Sequence, residues 1–143
     1  MNAESILKTK GKSVLTIRPE EKIADAVQKM KAKRIGALVV SRDGTDVAGI
    51  ISERDVLRGL GDYGTALLQR RVEEVMSRDV ITCSPSDEIA ALMAIMTEKR
   101  FRHVPVVEAG KLVGLISIGD VVKSRLEEIE REAEALRNYI ARG

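Results

Sequence analysis

The chain has 143 residues, a formal net charge of +2 and a hydrophobic fraction of 44%, which suits one compact domain or two half-sized units that share a core. Basic and acidic residues are interspersed, and the only aromatic residues are one Phe and two Tyr. This argues against a nucleic-acid-binding protein, which needs a phosphate footprint and often stacking platforms. One cysteine and one histidine exclude an internal disulfide and a zinc cluster.

The sequence carries no segment that predicts a signal peptide or a membrane span. The N-terminus lacks an apolar run, and the longest apolar stretch, residues 89–96, is far shorter than a bilayer crossing. We therefore expect a soluble, cytoplasmic protein.

The first half of the chain predicts a helical lead-in near residues 5–8 and then a β-α-β-β-α unit. Pro19 ends the first strand because proline cannot donate to a strand ladder. Asp43-Gly44 is typical of a hairpin turn. The predicted elements are strand 14–17, a helix over about 21–33, strand 36–40, strand 47–51, and a helix from Ser52 to about residue 60.

The same order returns after a break at residues 61–64 and a short helical connector over residues 66–76. Pro85 ends a strand, and we interpret Met93 and Met96 as core residues of a helix rather than as a binding surface. The predicted elements are strand 80–82, a helix around 89–96, strand 103–107, strand 112–116, and a helix that begins at Ser117.

The two halves are copies of one unit. Pro19 aligns with Pro85 at an offset of 66 residues, and one deletion in the second hairpin turn reduces the offset to 65. At that offset the stretch Gly-x-x-Ser-x-x-Asp recurs, at residues 49–55 and 114–120. Because each unit is too small to bury its own apolar face, we expect the units to pack around a pseudo-twofold axis. The cleft between them would hold two related sites.

The repeated unit resembles the CBS domain, the cystathionine-β-synthase-type regulatory repeat, and the pair resembles a Bateman module. The resemblance covers about residues 12–125 and rests on the strand order, the two prolines, the two Gly-x-x-Ser-x-x-Asp stretches and the Arg-His-Val-Pro-Val stretch at 102–106. It implies an α/β (α+β) fold of two β-α-β-β-α repeats, followed by a long C-terminal helix. We assign residues 1–65 to a lead-in and the first repeat, 66–125 to the second repeat and 126–143 to a helical extension.

The resemblance also implies a function. Tandem pairs of this family commonly bind adenosyl ligands, among them AMP, ADP, ATP, S-adenosylmethionine and NADH, and usually form disc-like dimers. We therefore expect a stand-alone, non-catalytic regulatory module that senses energy or redox state as a homodimer and signals to a partner on another chain. The alternatives are an enzyme acting on a nucleotide, as a hydrolase or an NAD-linked oxidoreductase, and a nucleic-acid-binding module. No Walker-type loop or nucleophile–base pattern favours the enzyme.

The Gly-x-x-Ser-x-x-Asp stretch itself has two interpretations. Ser-x-x-Asp ahead of a helix is an ordinary capping box that satisfies free backbone N–H groups. The same geometry offers a partly positive helix N-terminus and an aspartate that can accept hydrogen bonds from ribose hydroxyls. Recurrence favours the second use, which makes Ser52, Asp55, Ser117 and Asp120 ligand-binding candidates.

The flanking residues predict two unequal sites. The first repeat has Glu53-Arg54 where the second has Ile118-Gly119, and the second has Arg102-His103 where the first has Gly36-Ala37. The cationic side chains and the histidine in these pairs are candidates for binding phosphate. The alternatives are surface arginines and a hydrogen-bonded core histidine. We expect AMP or another small adenine nucleotide at the site of the second repeat and a second nucleotide or a dinucleotide at the first.

One threonine closes the first strand of each unit, Thr16 in the first and Thr82 in the second. The resemblance implies that they contact the base or ribose, and the alternative is ordinary β-propensity. Arg34, Arg70 and Arg71 are secondary phosphate candidates. The full set of candidate binding residues is Thr16, Ser52, Arg54, Asp55, Thr82, Arg102, His103, Pro105, Ser117 and Asp120.

The last predicted helix carries an apolar seam well past the second repeat. Its members are spaced 4, 3, 4, 3 and 4 residues apart, as in a coiled coil. They are Val122, Leu126, Ile129, Ala133, Leu136 and Ile140. The helix either folds back on its own module or pairs with a partner subunit, and the length of the seam favours the partner.

Overall fold

The computed structural model describes residues 1–11 and 13–142, so Lys12 and Gly143, the last residue of the predicted extension, lie outside the described residues. The elements, in chain order, are α1 (Ala3–Lys10), β1 (Thr16–Ile17), α2 (Ile23–Lys33), β2 (Ala37–Val40), β3 (Gly49–Ser52), α3 (Glu53–Tyr63), a 3-10 helix (Gly64–Gln69), α4 (Val72–Val75), α5 (Ile89–Lys99), β4 (His103–Glu108), β5 (Lys111–Ser117) and α6 (Ile118–Arg142).

Each repeat builds a small sheet. In the first, β1 runs parallel to β2, and β2 pairs antiparallel with β3. In the second, β4 and β5 form an antiparallel hairpin closed by Ala109-Gly110, both at positive φ, as a two-residue turn of the hairpin type requires. The predicted α/β architecture of two repeats and a long C-terminal helix is confirmed.

The predicted strand over residues 80–82 is wrong, and a proline explains it. Only Cys83 pairs with the sheet: its N–H donates to Pro105 O at 3.0 Å, and its carbonyl accepts from Val107 at 2.8 Å. In the first repeat the pairing extends one residue further, to Thr16 beside Val39. The counterpart of Val39 is Pro105, which has no N–H to donate, so the second ladder stops at a single bridge.

The segment that precedes each repeat packs on the other repeat. The core of the second repeat contains Ala3, Ile6 and Leu7 of α1, whereas the core of the first contains Leu67 and Val72. This exchange is called the crossed packing below. Burying one such leucine completely contributes about 1.5–3 kcal/mol, so each repeat depends on a segment supplied across the pseudo-twofold axis.

Backbone hydrogen bonds hold both crossed segments in the same way. The N–H groups of Ala3 and Glu4 donate to the carbonyls of Asp87 and Pro85, at 2.9 Å each. Equivalent bonds run from Val72 to Glu21 at 2.7 Å and from Glu73 to Pro19 at 2.9 Å. The two prolines therefore each offer a backbone carbonyl that receives the first turn of a crossed helix.

The glycine of each Gly-x-x-Ser-x-x-Asp stretch lies where a crossed segment comes closest. A Cβ on Gly49 would stand 2.6 Å from the carbonyl oxygen of Ser77, and a Cβ on Gly114 would overlap the side chain of Leu7. Ser77 and Ile50 also exchange two backbone hydrogen bonds of 2.9 Å. The glycines thus make room for the protein's own backbone and core.

Helix α6 is 25 residues long and only its first part lies against the repeats. It packs on α5 and α1, and the N-terminal ammonium of Met1 reaches Glu128 at 3.2 Å. Further along, Leu136, Tyr139 and Ile140 are exposed, so the seam does not fold back onto the described part of its own chain. None of the helices in the described ranges is long and apolar enough to cross a bilayer.

Candidate functional site

Both Ser-x-x-Asp stretches form capping boxes at a junction between a strand and a helix. The N–H of Ser52 donates to Asp55 Oδ2 at 2.9 Å, and the Asp55 N–H donates back to Ser52 Oγ at 3.3 Å. Ser117 and Asp120 exchange the same two bonds, at 2.9 and 3.2 Å. Capping is therefore one role of these residues, and it leaves the helix N-termini of α3 and α6 pointing at the space between the repeats.

A cavity of about 450 Å³ lies in front of the α3 N-terminus; we call it the Asp55 cavity. Residues 52–55 of the first repeat form one wall, and residues 79–80 and 99–103 of the second form the opposite wall. The cavity brings together six of the predicted residues: Ser52, Arg54, Asp55, Arg102, His103 and Ser117.

The Asp55 cavity is rich in charge. Its described lining holds five cationic side chains, Arg54, Arg58, Lys99, Arg100 and Arg102, against three carboxylates, Glu53, Asp55 and Asp79. Guanidinium groups bind phosphate oxygens in pairs, so this excess of positive charge suits a ligand with more than one phosphate.

Asp55 is already well satisfied by protein groups. Its carboxylate is only 3% exposed and accepts from Ser77 Oγ at 2.8 Å and from the Ser52 hydroxyl at 2.9 Å. Arg58 adds an ion pair at 3.7 Å. A ribose hydroxyl would have to replace the bond from Ser77 in order to reach this carboxylate.

A second cavity, of about 500 Å³, is related to the first by the pseudo-twofold axis; we call it the Lys10 cavity. Residues 13–15 and 33–37 line it, in place of residues 79–80 and 99–103. Lys10 and Ser117 also line it, and both hydrogen-bond the carboxylate of Asp120.

Asp120 forms a shorter ion pair than its counterpart Asp55, and with a lysine from outside its own helix. Lys10 Nζ lies 2.7 Å from Asp120 Oδ2 and also donates to the carbonyl of Leu115 at 2.9 Å. Burial alone would raise the pKa of Asp120, but the bonds from Lys10 and Ser117 outweigh it and hold the pKa below its ordinary value. Asp120 is therefore ionised at neutral pH.

His103 lies between the two cavities, and it lines both, as do Gly36 and Ser117. Burial lowers the pKa of His103, the positive charges of Lys10 and Arg102 lower it further, and Asp120 and Glu53 oppose the shift. The imidazole is therefore neutral at pH 7 and can both donate and accept a hydrogen bond.

Three predicted residues lie elsewhere among the described residues. Thr16 is half-buried in β1, Thr82 is exposed ahead of Cys83, and Pro105 is buried in β4 opposite Leu115. None of them lines either cavity. Asp120 is also absent from both linings, and it meets the Lys10 cavity through its bonds with Lys10 and Ser117.

Sequence reasoning missed several residues that do line the cavities. Lys99-Arg100 lies at the same offset from Lys33-Arg34 as the prolines, and this recurrence is a signal that could have found it. Arg34 and Arg100 hold the left-handed conformation at the ends of α2 and α5, with φ of 54° and 59°. Lys10 precedes the stretch over which the two halves could be aligned from sequence, and its counterpart Asp79 is not a cation, so recurrence does not point to it.

Comparison with known proteins gives one consistent result. A model of the CBS domain family matches residues 7–62 and 72–127. The CBS domain-containing protein CBSX3, mitochondrial, of Arabidopsis thaliana is 36% identical over 146 residues, which cover 96% of this chain and 71% of the relative.

Solved structures give the same picture. A CBS-domain-containing protein from Agrobacterium tumefaciens is 42% identical, with a TM-score of 0.84 over 87% of this chain and 99% of that one. CBSX2 in complex with AMP is 25% identical, with a TM-score of 0.69 over 80% of this chain and 88% of that one.

Proposed function

The chain belongs to the CBS domain family, and we propose that it is a regulatory module that binds an adenine nucleotide in the cavities between its two repeats. The observation that carries the proposal is the pair of symmetry-related cavities. Each places a serine of one repeat, at a helix N-terminus, opposite cationic side chains of the other. Asp55 lines its cavity directly, whereas Asp120 lies behind the Lys10 cavity, bonded to Lys10 and Ser117 of the lining. A nucleotide offers matching groups, because its ribose hydroxyls are donors and its phosphates are anions.

A solved relative supports this choice of ligand. CBSX2, with 25% identity to this chain, was crystallised with AMP. We propose AMP or a similar mononucleotide for the Lys10 cavity, and ATP, ADP or NADH for the Asp55 cavity, because the latter has five cationic side chains for additional phosphates.

A regulatory role fits the chemistry better than a catalytic one. The one thiol of the chain, Cys83, is part of the core of the second repeat, and burial raises its pKa to about 12, so it stays protonated and is a poor nucleophile. We propose that the protein acts by changing shape when ligand binds, which requires different affinities in two states, and that a partner protein in the cytoplasm reads the change.

We also propose a homodimer, because two apolar surfaces remain exposed in the described part of the chain. One is a groove of about 590 Å³ between α2 and α3, where Leu57 is 71% exposed. The other is the seam on α6 that includes Leu136 and Ile140. Exposed apolar surface of this extent is typical of an interface between subunits.

Isothermal titration calorimetry with AMP, ADP, ATP, NADH and S-adenosylmethionine tests the proposal. We expect at least one nucleotide to bind at sub-millimolar concentration, and Asp120→Ala to weaken the ligand of the Lys10 cavity about 10- to 100-fold, as loss of a hydrogen bond to a charged group implies. Asp62→Ala removes an exposed carboxylate outside both cavities and is the matched control.

Two results would contradict the proposal. One is the absence of binding by all five ligands at sub-millimolar concentration. The other is turnover of ATP or NADH by the purified protein, measured as phosphate release or loss of NADH absorbance, which would favour the enzyme instead.

A further inference from the structure

The Lys10–Asp120 pair places a positive charge on the carboxylate that the proposed function assigns to ribose. Lys10 Nζ is 2.7 Å from Asp120 Oδ2 and 2.9 Å from the Leu115 carbonyl oxygen. The side chains are 42% and 27% exposed, so the pair is open to solvent and to a ligand. Its two hydrogen bonds hold the ammonium against Asp120 Oδ2, one of the two oxygens that a ribose hydroxyl could use.

The first repeat has no such lysine. The bonds Ala3–Asp87 and Val72–Glu21 align the crossed segments at an offset of 69 residues, which puts Asp79 at the position of Lys10. The carboxylate of Asp55 instead accepts from the neutral hydroxyl of Ser77 at 2.8 Å, and its cationic partner is the more distant Arg58, at 3.7 Å. The lysine therefore distinguishes one cavity from the other.

A ligand that displaces Lys10 must deal with the charge it releases. The described lining of the Lys10 cavity contains two further cations, Lys33 and Arg34, and no carboxylate. Lys10 also contributes to the lowered pKa of His103, which shows that its charge is felt across the cavity. An ammonium displaced from Asp120 finds no other carboxylate among the described lining residues, so a negative group of the ligand would be its nearest new partner.

We propose that Lys10 sets the ligand selectivity of the Lys10 cavity: it competes with ribose for Asp120 and, once displaced, binds the ligand's phosphate. The cavity would then take a nucleoside monophosphate in preference to an uncharged or cationic adenosyl compound. This rests on the proposed function, because it assumes that ribose binds at Asp120.

The two roles proposed for Lys10 predict opposite changes in affinity when the lysine is removed. Losing a partly exposed ion pair removes a competitor worth a factor of about two to five, so adenosine binds more tightly without Lys10. Losing a charge-assisted bond to phosphate costs about ten-fold or more, so AMP binds less tightly. The preference for AMP over adenosine therefore falls by about twenty-fold or more, the product of the two changes.

The experiment is calorimetric titration of wild type, Lys10→Met and Lys8→Met with AMP and with adenosine. Methionine keeps the aliphatic stem, and Lys8 is an exposed lysine of the same helix, so Lys8→Met makes the same change in charge away from Asp120. Asp120→Asn identifies which binding component belongs to this cavity. Thermal melts check that Lys10→Met keeps the fold.

We expect Lys10→Met to tighten adenosine two- to five-fold and weaken AMP, with Lys8→Met unchanged. Equal changes for both ligands, or a wild-type protein that binds adenosine here as tightly as AMP, would overturn the role of Lys10 and leave the proposed function standing. If the wild type binds neither ligand at millimolar concentration, the assignment of AMP to the Lys10 cavity fails together with the role of Lys10, and the proposed function fails as well if ADP, ATP, NADH and S-adenosylmethionine do not bind either.

Discussion

Replacing Gly49 with alanine tests the crossed packing directly. The added Cβ would lie 2.6 Å from the Ser77 carbonyl oxygen and 2.9 Å from Met76 Sδ. The carbonyl is backbone, and it is fixed by two hydrogen bonds of 2.9 Å to Ile50, so it cannot rotate away. The strands must separate, or the bridge between Ser77 and Ile50 must open.

Overpacking of this kind costs about 1–3 kcal/mol, and the backbone contact puts Gly49→Ala at the upper end. For a chain of this size that lowers Tm by roughly 4 °C per kcal/mol. We also expect weaker binding in the Asp55 cavity, because Ser77 holds Asp55 through its hydroxyl at 2.8 Å.

The assay is a thermal melt and a urea titration of three glycine-to-alanine variants. Gly114→Ala meets only the side chain of Leu7, which can move, so it should destabilise less. Gly61→Ala lies in α3 with nothing within 4 Å of the new Cβ and should stabilise by about 0.5–1 kcal/mol. A Gly49→Ala protein as stable as the wild type would refute the close approach on which the crossed packing rests.

Three further predictions concern strain, pH and assembly. Arg100→Gly relieves a left-handed residue at the end of α5 and should raise stability by about 1 kcal/mol, yet weaken nucleotide binding in the Asp55 cavity; a lower Tm would contradict the strain. His103 has a lowered pKa in the folded protein, so the unfolded chain binds its proton more tightly, and stability should fall as pH drops below about 6.5. His103→Gln should flatten the change of Tm between pH 7.5 and 5.5, and a slope equal to that of the wild type would refute this. Leu136→Glu should lower the molar mass measured by light scattering from that of a dimer to that of a monomer, because the charge would break a seam that joins two subunits. If only Leu57→Glu lowers the mass, the interface is the groove between α2 and α3 instead.

The sequence was informative where the chemistry repeats along the chain. Pro19 and Pro85, and the two Ser-x-x-Asp stretches, recur at one offset, so the repeat and its capped helices could be predicted. The predicted first strand of the second repeat, residues 80–82, was wrong. Pro105 lacks an N–H at the position where Val39 donates in the first repeat. A pattern read along one strand does not reveal what its neighbour can donate.

The rest of the site depends on contacts between distant residues. Lys10 meets Asp120 across 110 positions, and Ser77 meets Asp55 across 22. Neither pair follows from periodicity, because the crossed segments lie outside the aligned units. The binding roles of all ten candidate residues remain predictions, and Thr16, Thr82, Pro105 and Asp120 lie outside both cavity linings.

The crossed packing also has a consequence for the order in which the chain folds during synthesis. The partners of α1 include Asp87, Leu115 and Val121, so α1 has nothing to dock on until most of the second repeat has left the ribosome. The first repeat, in turn, waits for residues 64–76 to complete its core. Domains usually fold from the N-terminus onward, but here α1, the first helix synthesised, is among the last elements to dock. A nascent chain stalled before Val121 should therefore expose α1 to protease.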